Sequence, residues 1–147
     1  MNTVLIVDDD RLILEMTARL LGNLSIRLKV LTAENGAEAI DVLRAGKVDL
    51  VLTDLNMPVI DGFTLLSYIS VKHPDIKTIA MTGLQIADIN EKLRFLGVRH
   101  CLEKPFSLQD LNEKIIQVLG KDTGRPEPAY SAQQDNTLRP AFIILVF

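Results

Sequence analysis

Two periodicities take turns along the chain. Short apolar runs, rich in β-branched residues, fall at 4–7, 28–32, 50–53, 76–81 and 98–102. Each has the length of a buried strand. Between them the apolar residues recur every three or four positions, the spacing of one helix face. The first such stretch predicts a helix with Leu12, Met16, Leu20 and Leu21 on its buried side, and the second, after Gly36, carries Ala37, Ile40, Val42 and Leu43. A third has Phe63, Leu66 and Ile69; a fourth, over roughly 85–96, has Ile86, Ile89, Leu93 and Leu96; the fifth, 107–119, has Leu108, Leu111, Ile115 and Leu119. Strands alternating with helices predict βαβ units around a parallel sheet.

Punctuation agrees with this division. Gly22, Gly46, Gly97 and Gly120 each follow a helical stretch, where a left-handed terminal residue is cheap for glycine. Ser107 with Asp110 three residues later reads as a helix N-cap signal, and Pro74 closes the third helix. The fold expected over residues 1–120 is therefore an α/β domain: a doubly wound, five-stranded parallel sheet with five helices. Residues 121–147 are set apart. The stretch 121–140 holds three prolines and few large apolar groups, so it is expected to be a flexible linker or tail and not a second domain. The closing AFIILVF is apolar again, and pairing with a sheet edge, packing on the domain and dimer contact all remain open for it.

Composition narrows the partners. At 48% apolar and 24% charged the chain is an ordinary globular one, able to build a core without disulfides. Its 16 basic and 19 acidic residues leave a net charge of −3, without the basic excess of a nucleic-acid binder. Cys101 is the single cysteine, which suits a reducing cytoplasmic setting. The first ten residues lack the pattern of a signal peptide and no run approaches the ~20 apolar residues of a membrane span, so direct contact with nucleic acid or membrane is not expected.

Polar residues gather where a parallel sheet would bind a ligand, beyond the carboxyl ends of the strands. Asp8, Asp9 and Asp10 follow the first strand, Asp54 ends the third, Thr82 the fourth, and Lys104–Pro105 the fifth. Singly, each has a plainer reading: the first three aspartates as N-caps, Asp54 as a turn cap, Thr82 as a strand exit, Lys104 as a solvated charge. Together they put several carboxylates, one hydroxyl and one ammonium on one rim. Clustered carboxylates repel unless a cation joins them, and an all-oxygen set without histidine suits Mg2+ better than zinc.

The stretches LIVDDD (5–10), DLNMPVIDG (54–62), MTG (81–83) and EKPF (103–106), with TAENGAEAI (32–40), resemble the receiver domains of bacterial response regulators over residues 1 to about 120. The resemblance implies a flavodoxin-like receiver fold and a phospho-accepting role in two-component signalling. Asp54 would take a phosphoryl group from a sensor histidine kinase or phosphotransfer protein. Mg2+ would be held by Asp9 directly, Asp8 largely through water, Asp54, and the backbone carbonyl of Asn56. Lys104 would pair with Asp54 and later with the phosphoryl group, Thr82 would turn its hydroxyl to a phosphoryl oxygen, and the Lys104–Pro105 bond would be cis. The protein would then be a self-modifying switch and not a turnover enzyme, controlling an unknown output partner. The surface of the fourth helix, fifth strand and fifth helix would carry partner or homodimer contacts.

One position departs from the family pattern: Cys101 stands where an aromatic residue is usual, either as a small hydrophobe or as a redox handle. His73 and His100 have no metal-ligand spacing. Two other functions compete. An aspartyl-phosphate phosphatase would want an acid two residues after Asp54, where Asn56 stands. A non-phosphorylated interaction module of the same fold would not need the carboxylates.

Overall fold

The structure, a computed structural model, describes residues 1–120 of the 147. The linker and the AFIILVF segment, 121–147, lie outside the described residues. Strands β1 (Asn2–Val7), β2 (Leu28–Ala33), β3 (Leu50–Asp54), β4 (Lys77–Thr82) and β5 (Cys101–Glu103) alternate with helices α1 (Arg11–Gly22), α2 (Gly36–Ala45), α3 (Gly62–Lys72), α4 (Ile86–Phe95) and α5 (Leu108–Leu119). All strand pairs are parallel, in the order β2-β1-β3-β4-β5. The doubly wound five-stranded α/β fold read from the sequence is the fold observed.

Strand alternation explains the two-sided core. Val4 and Ile6 join α1 and α5 residues such as Leu14, Leu21, Leu111 and Ile115 on one face. Leu5 and Val7 meet Ala39 and Leu43 of α2 and Leu65 and Ile69 of α3 on the other. Burying each Val, Leu or Ile side chain among these contributes roughly 1.5–3 kcal/mol, and β3 is buried along its whole length. The buried carboxylates among the described residues, Asp8 and Asp54, therefore lie at the ends of the central strands β1 and β3. Among the described residues, no helix is long and apolar enough to cross a membrane.

Several local readings need correction. The buried stripe of α1 is Leu14, Thr17 and Leu21, spaced i, i+3, i+7. Leu12 and Met16 lie off it, 66% and 54% exposed; a polar Thr17 in an inward slot hides the true face from a search for apolar residues. In α2 the stripe is Gly36, Ala39 and Leu43, which leaves Ala37 exposed. Leu108 is exposed at the start of α5, and Val118 is buried. Of the four glycines, Gly97 alone is left-handed, at φ 78°. It ends α4 in a Schellman cap: Gly97 N–H donates to Arg94 O and Val98 N–H to Leu93 O, at 3.0 and 2.8 Å. That cap claims Val98, so β5 begins at Cys101 and not at 98.

Thr78, buried in β4, has a hydroxyl oxygen with no hydrogen-bond partner. Burying an unpaired hydroxyl costs free energy that an apolar isostere does not. Thr78→Val is expected to raise the unfolding free energy by about 1 kcal/mol, measured by urea denaturation; a loss of stability would contradict the reading.

Candidate functional site

Topology builds the site. From β1 the chain winds one way to β2 and the other way to β3, so a crevice opens beyond the carboxyl ends of β1 and β3. Val7 is in register with Thr53, which sets Asp8 beside Asp54. On the next strands Thr82 pairs with Glu103, and Lys104 follows, its N–H donating to Thr82 O at 2.8 Å. The Lys104–Pro105 peptide bond is cis, as read from the sequence.

The run of three aspartates divides its labour. Asp10 is the N-cap of α1, its side chain accepting from Leu12 N and Ile13 N. Asp8 is fully buried; Oδ1 accepts from Asp10 N at 2.9 Å and Oδ2 from Lys104 Nζ at 2.9 Å. Asp9 is exposed on the rim. Asp8, Asp9 and Asp54 each offer an oxygen, all within 4.8 Å of one another. The structure thus brings together the three carboxylates expected to hold a cation, while Asp10 is spent on the helix. Asn56 is exposed in the β3–α3 loop.

Lys104 sits closer to Asp8 than to Asp54, at 2.9 against 3.6 Å; the sequence reading pairs it with Asp54 and overlooks Asp8. One ammonium facing three carboxylates leaves the pocket negative. Burial pushes the Asp54 carboxyl up to about 6, with Asp8 and Asp9 adding to the push and Lys104 opposing it. Burial also raises Asp8, against its hydrogen bonds to Asp10 N and Lys104. A divalent cation on these oxygens would supply the missing positive charge, so the residues fit Mg2+. Thr82 is buried, and its Oγ1 accepts from Leu84 N at 2.9 Å, which leaves the hydroxyl proton to give.

Gly62 is a site residue whose role was not read from the sequence. A Cβ there would collide with the carbonyl oxygen of Asp54 and meet Leu55 Cα at 2.7 Å. Its own N–H donates to Leu55 O at 3.0 Å, so the first turn of α3 rests directly on the backbone of Asp54. The signal was present as the last letter of DLNMPVIDG. Cys101 is half-buried against the core, and burial pushes its thiol up to about 12. That favours the small hydrophobe over the redox handle, since the thiolate is the reactive form.

A match to the response regulator receiver domain runs over residues 4–116. The chain is 31% identical over 112 residues to the sensor histidine kinase RcsC of Escherichia coli K12, covering 76% of this chain and 12% of RcsC. It is 35% identical over 115 residues to the DNA-binding transcriptional regulator NtrC of the same organism, covering 78% of this chain and 24% of NtrC. It therefore spans a quarter or less of either relative. The response regulator TrrA of Thermotoga maritima, solved with Mg2+ and beryllofluoride, superimposes with a TM-score of 0.72 at 30% identity, over 80% of this chain and 99% of that one.

Two predictions follow from the geometry. A carboxyl with a raised folded pKa holds its proton more tightly when folded; its stabilising contribution is present at low pH and lost as pH rises from 3.8 toward about 6. Without divalent cations, Asp54→Asn should therefore be more stable than wild type at pH 7, by on the order of 2 kcal/mol. The two should converge near pH 4, as read by thermal unfolding across that range. Separately, Gly62→Ala should cost about 3 kcal/mol or more, since backbone and not a flexible side chain must move; denaturant midpoints test it.

Proposed function

Because the chain belongs to the response regulator receiver domain family, we propose that it is a phospho-accepting signalling receiver with Asp54 as the acceptor. The observation that carries this reading is a buried carboxylate at the end of a central strand, 3.6 Å from an ammonium and grouped with two further carboxylates. A capping or packing role does not require that arrangement, and carboxylates gathered without purpose are costly.

In this reading an Asp54 carboxylate oxygen attacks the phosphorus of a phosphohistidine. The P–O bond forms as the P–N bond breaks, and the electron pair leaves with the imidazole. Lys104, 3.6 Å from Asp54, supplies positive charge for the negative charge that builds on the transferring group. Thr82 donates its free hydroxyl proton to a phosphoryl oxygen. Asp9, Asp54, the Asn56 carbonyl and, largely through water, Asp8 would hold Mg2+, which when bound would neutralise carboxylate and phosphoryl charge. Water later hydrolyses the acyl phosphate, so the chain modifies itself and does not turn over a free substrate. The donor is a sensor histidine kinase or phosphotransfer protein in the cytoplasm. Phosphorylation then biases the β4–β5 side of the domain toward an output partner.

Incubation with Mg2+ and acetyl phosphate should add one phosphate, mapped to Asp54 by mass spectrometry. Asp54→Ala should take up none, and Lys104→Ala should label more slowly by roughly 100-fold or more. Equal labelling of Asp54→Ala would overturn the assignment. A wild type that neither takes up label nor gains thermal stability with Mg2+ would point to the non-phosphorylated interaction module.

A further inference from the structure

Four of the five helices are capped by a side chain at their own N-terminus: Asp10 for α1, Asn35 for α2, Asp61 for α3 and Ser107 for α5. Helix α4 is the exception. Its N-cap residue, Gln85, makes no side-chain hydrogen bond. The acceptor comes instead from the neighbouring strand, where Glu103 Oε1 receives Ile86 N–H at 3.4 Å. A carboxylate there also faces the positive end of the helix dipole.

Glu103 is also the residue before Lys104. Its strand position is fixed opposite Thr82, and the Lys104 N–H is bonded to Thr82 O. Thr82 Oγ1 in turn accepts from Leu84 N, two residues before Ile86. The segment from Thr82 to Ile86 and the segment Glu103–Lys104 are therefore tied by two hydrogen bonds, one of which begins α4 and one of which comes from the backbone of the pocket lysine, while the Leu84 bond braces the first segment internally. The far end of α4 is held separately, by Lys92 Nζ over the Phe63 ring at 3.8 Å and by the Schellman cap at Gly97. Its start is held by the longer bond, the one more easily lengthened or given up.

We propose that Glu103 is a positioning residue that clasps the start of α4 to the acidic pocket, so that a change of charge at Asp54 reaches α4 through Lys104 and Glu103. The relay half rests on the phospho-accepting reading; the clasp does not. When Lys104 is drawn toward a phosphoryl group on Asp54, Glu103 moves with it. The recruitment of Thr82 disturbs the Leu84 bond at the same moment, and the first turn of α4 loses or shifts both of its anchors.

Amide hydrogen exchange on the full chain tests this, with and without Mg2+ and beryllofluoride. Without them, Glu103→Ala should exchange about fivefold faster at 86–88 than wild type, the effect of losing one N-terminal acceptor, with the other helices unchanged. Glu103→Gln, which keeps an acceptor oxygen, should restore part of the protection. Adding Mg2+ and beryllofluoride should change exchange at 86–88 in wild type and leave it unchanged there in Glu103→Ala, while Leu84, held by Thr82 and not by Glu103, responds in both. Unaltered exchange at 86–88 in unliganded Glu103→Ala overturns the clasp. An undiminished response to beryllofluoride at 86–88 in that variant overturns the relay. If wild type shows no response even at the pocket amides, the phospho-accepting reading fails and the relay with it, while the unliganded comparison still decides the clasp.

Discussion

The ammonium of Lys104 holds the site together. It lies between the buried carboxylates of Asp8 and Asp54, which without it would face each other with little solvent to screen them. A lysine at the end of a short edge strand can reach there because the sheet is parallel: every strand delivers its final residue to the same rim. Charges at the end of one strand and in the loops that follow two others thus become neighbours although 96 positions separate Asp8 from Lys104.

The surroundings keep this geometry stiff. The central strands are buried on both faces, so the polar residues at their ends have little room to drift. Gly62 lays the start of α3 on the backbone of Asp54, and Asp10 fixes the start of α1 directly after the two aspartates that face the pocket. One ammonium for three carboxylates leaves a deliberate deficit of positive charge, and burial makes that deficit felt as an Asp54 carboxyl raised to about 6. A polar rim on a rigid frame, short of cations, suits an incoming metal ion and an anionic group together.

Much of this was legible in the sequence, for identifiable reasons. The alternation of short and helical apolar runs forces a parallel sheet, and a parallel sheet forces the strand-end residues Asp8, Asp54, Thr82 and Lys104 onto one edge. Other features depend on three-dimensional detail that a linear pattern does not carry. The orientation of α1 differs from its apolar pattern because Thr17 occupies a core position while Leu12 and Met16 face solvent. The division of work among Asp8, Asp9 and Asp10 depends on where the first turn of α1 begins, which three identical letters cannot show. The closer partner of Lys104 is set by a difference of less than 1 Å, well below what spacing along a chain encodes.

The borrowed cap of α4 also bears on how such domains can be recombined. A helix whose leading amide is held by a carboxylate seventeen residues downstream is not a self-contained cassette. Grafting 85–96 from a relative would carry the rod without its hook, so the natural unit of exchange here is discontinuous, one piece of it lying on each side of the Gly97 bend.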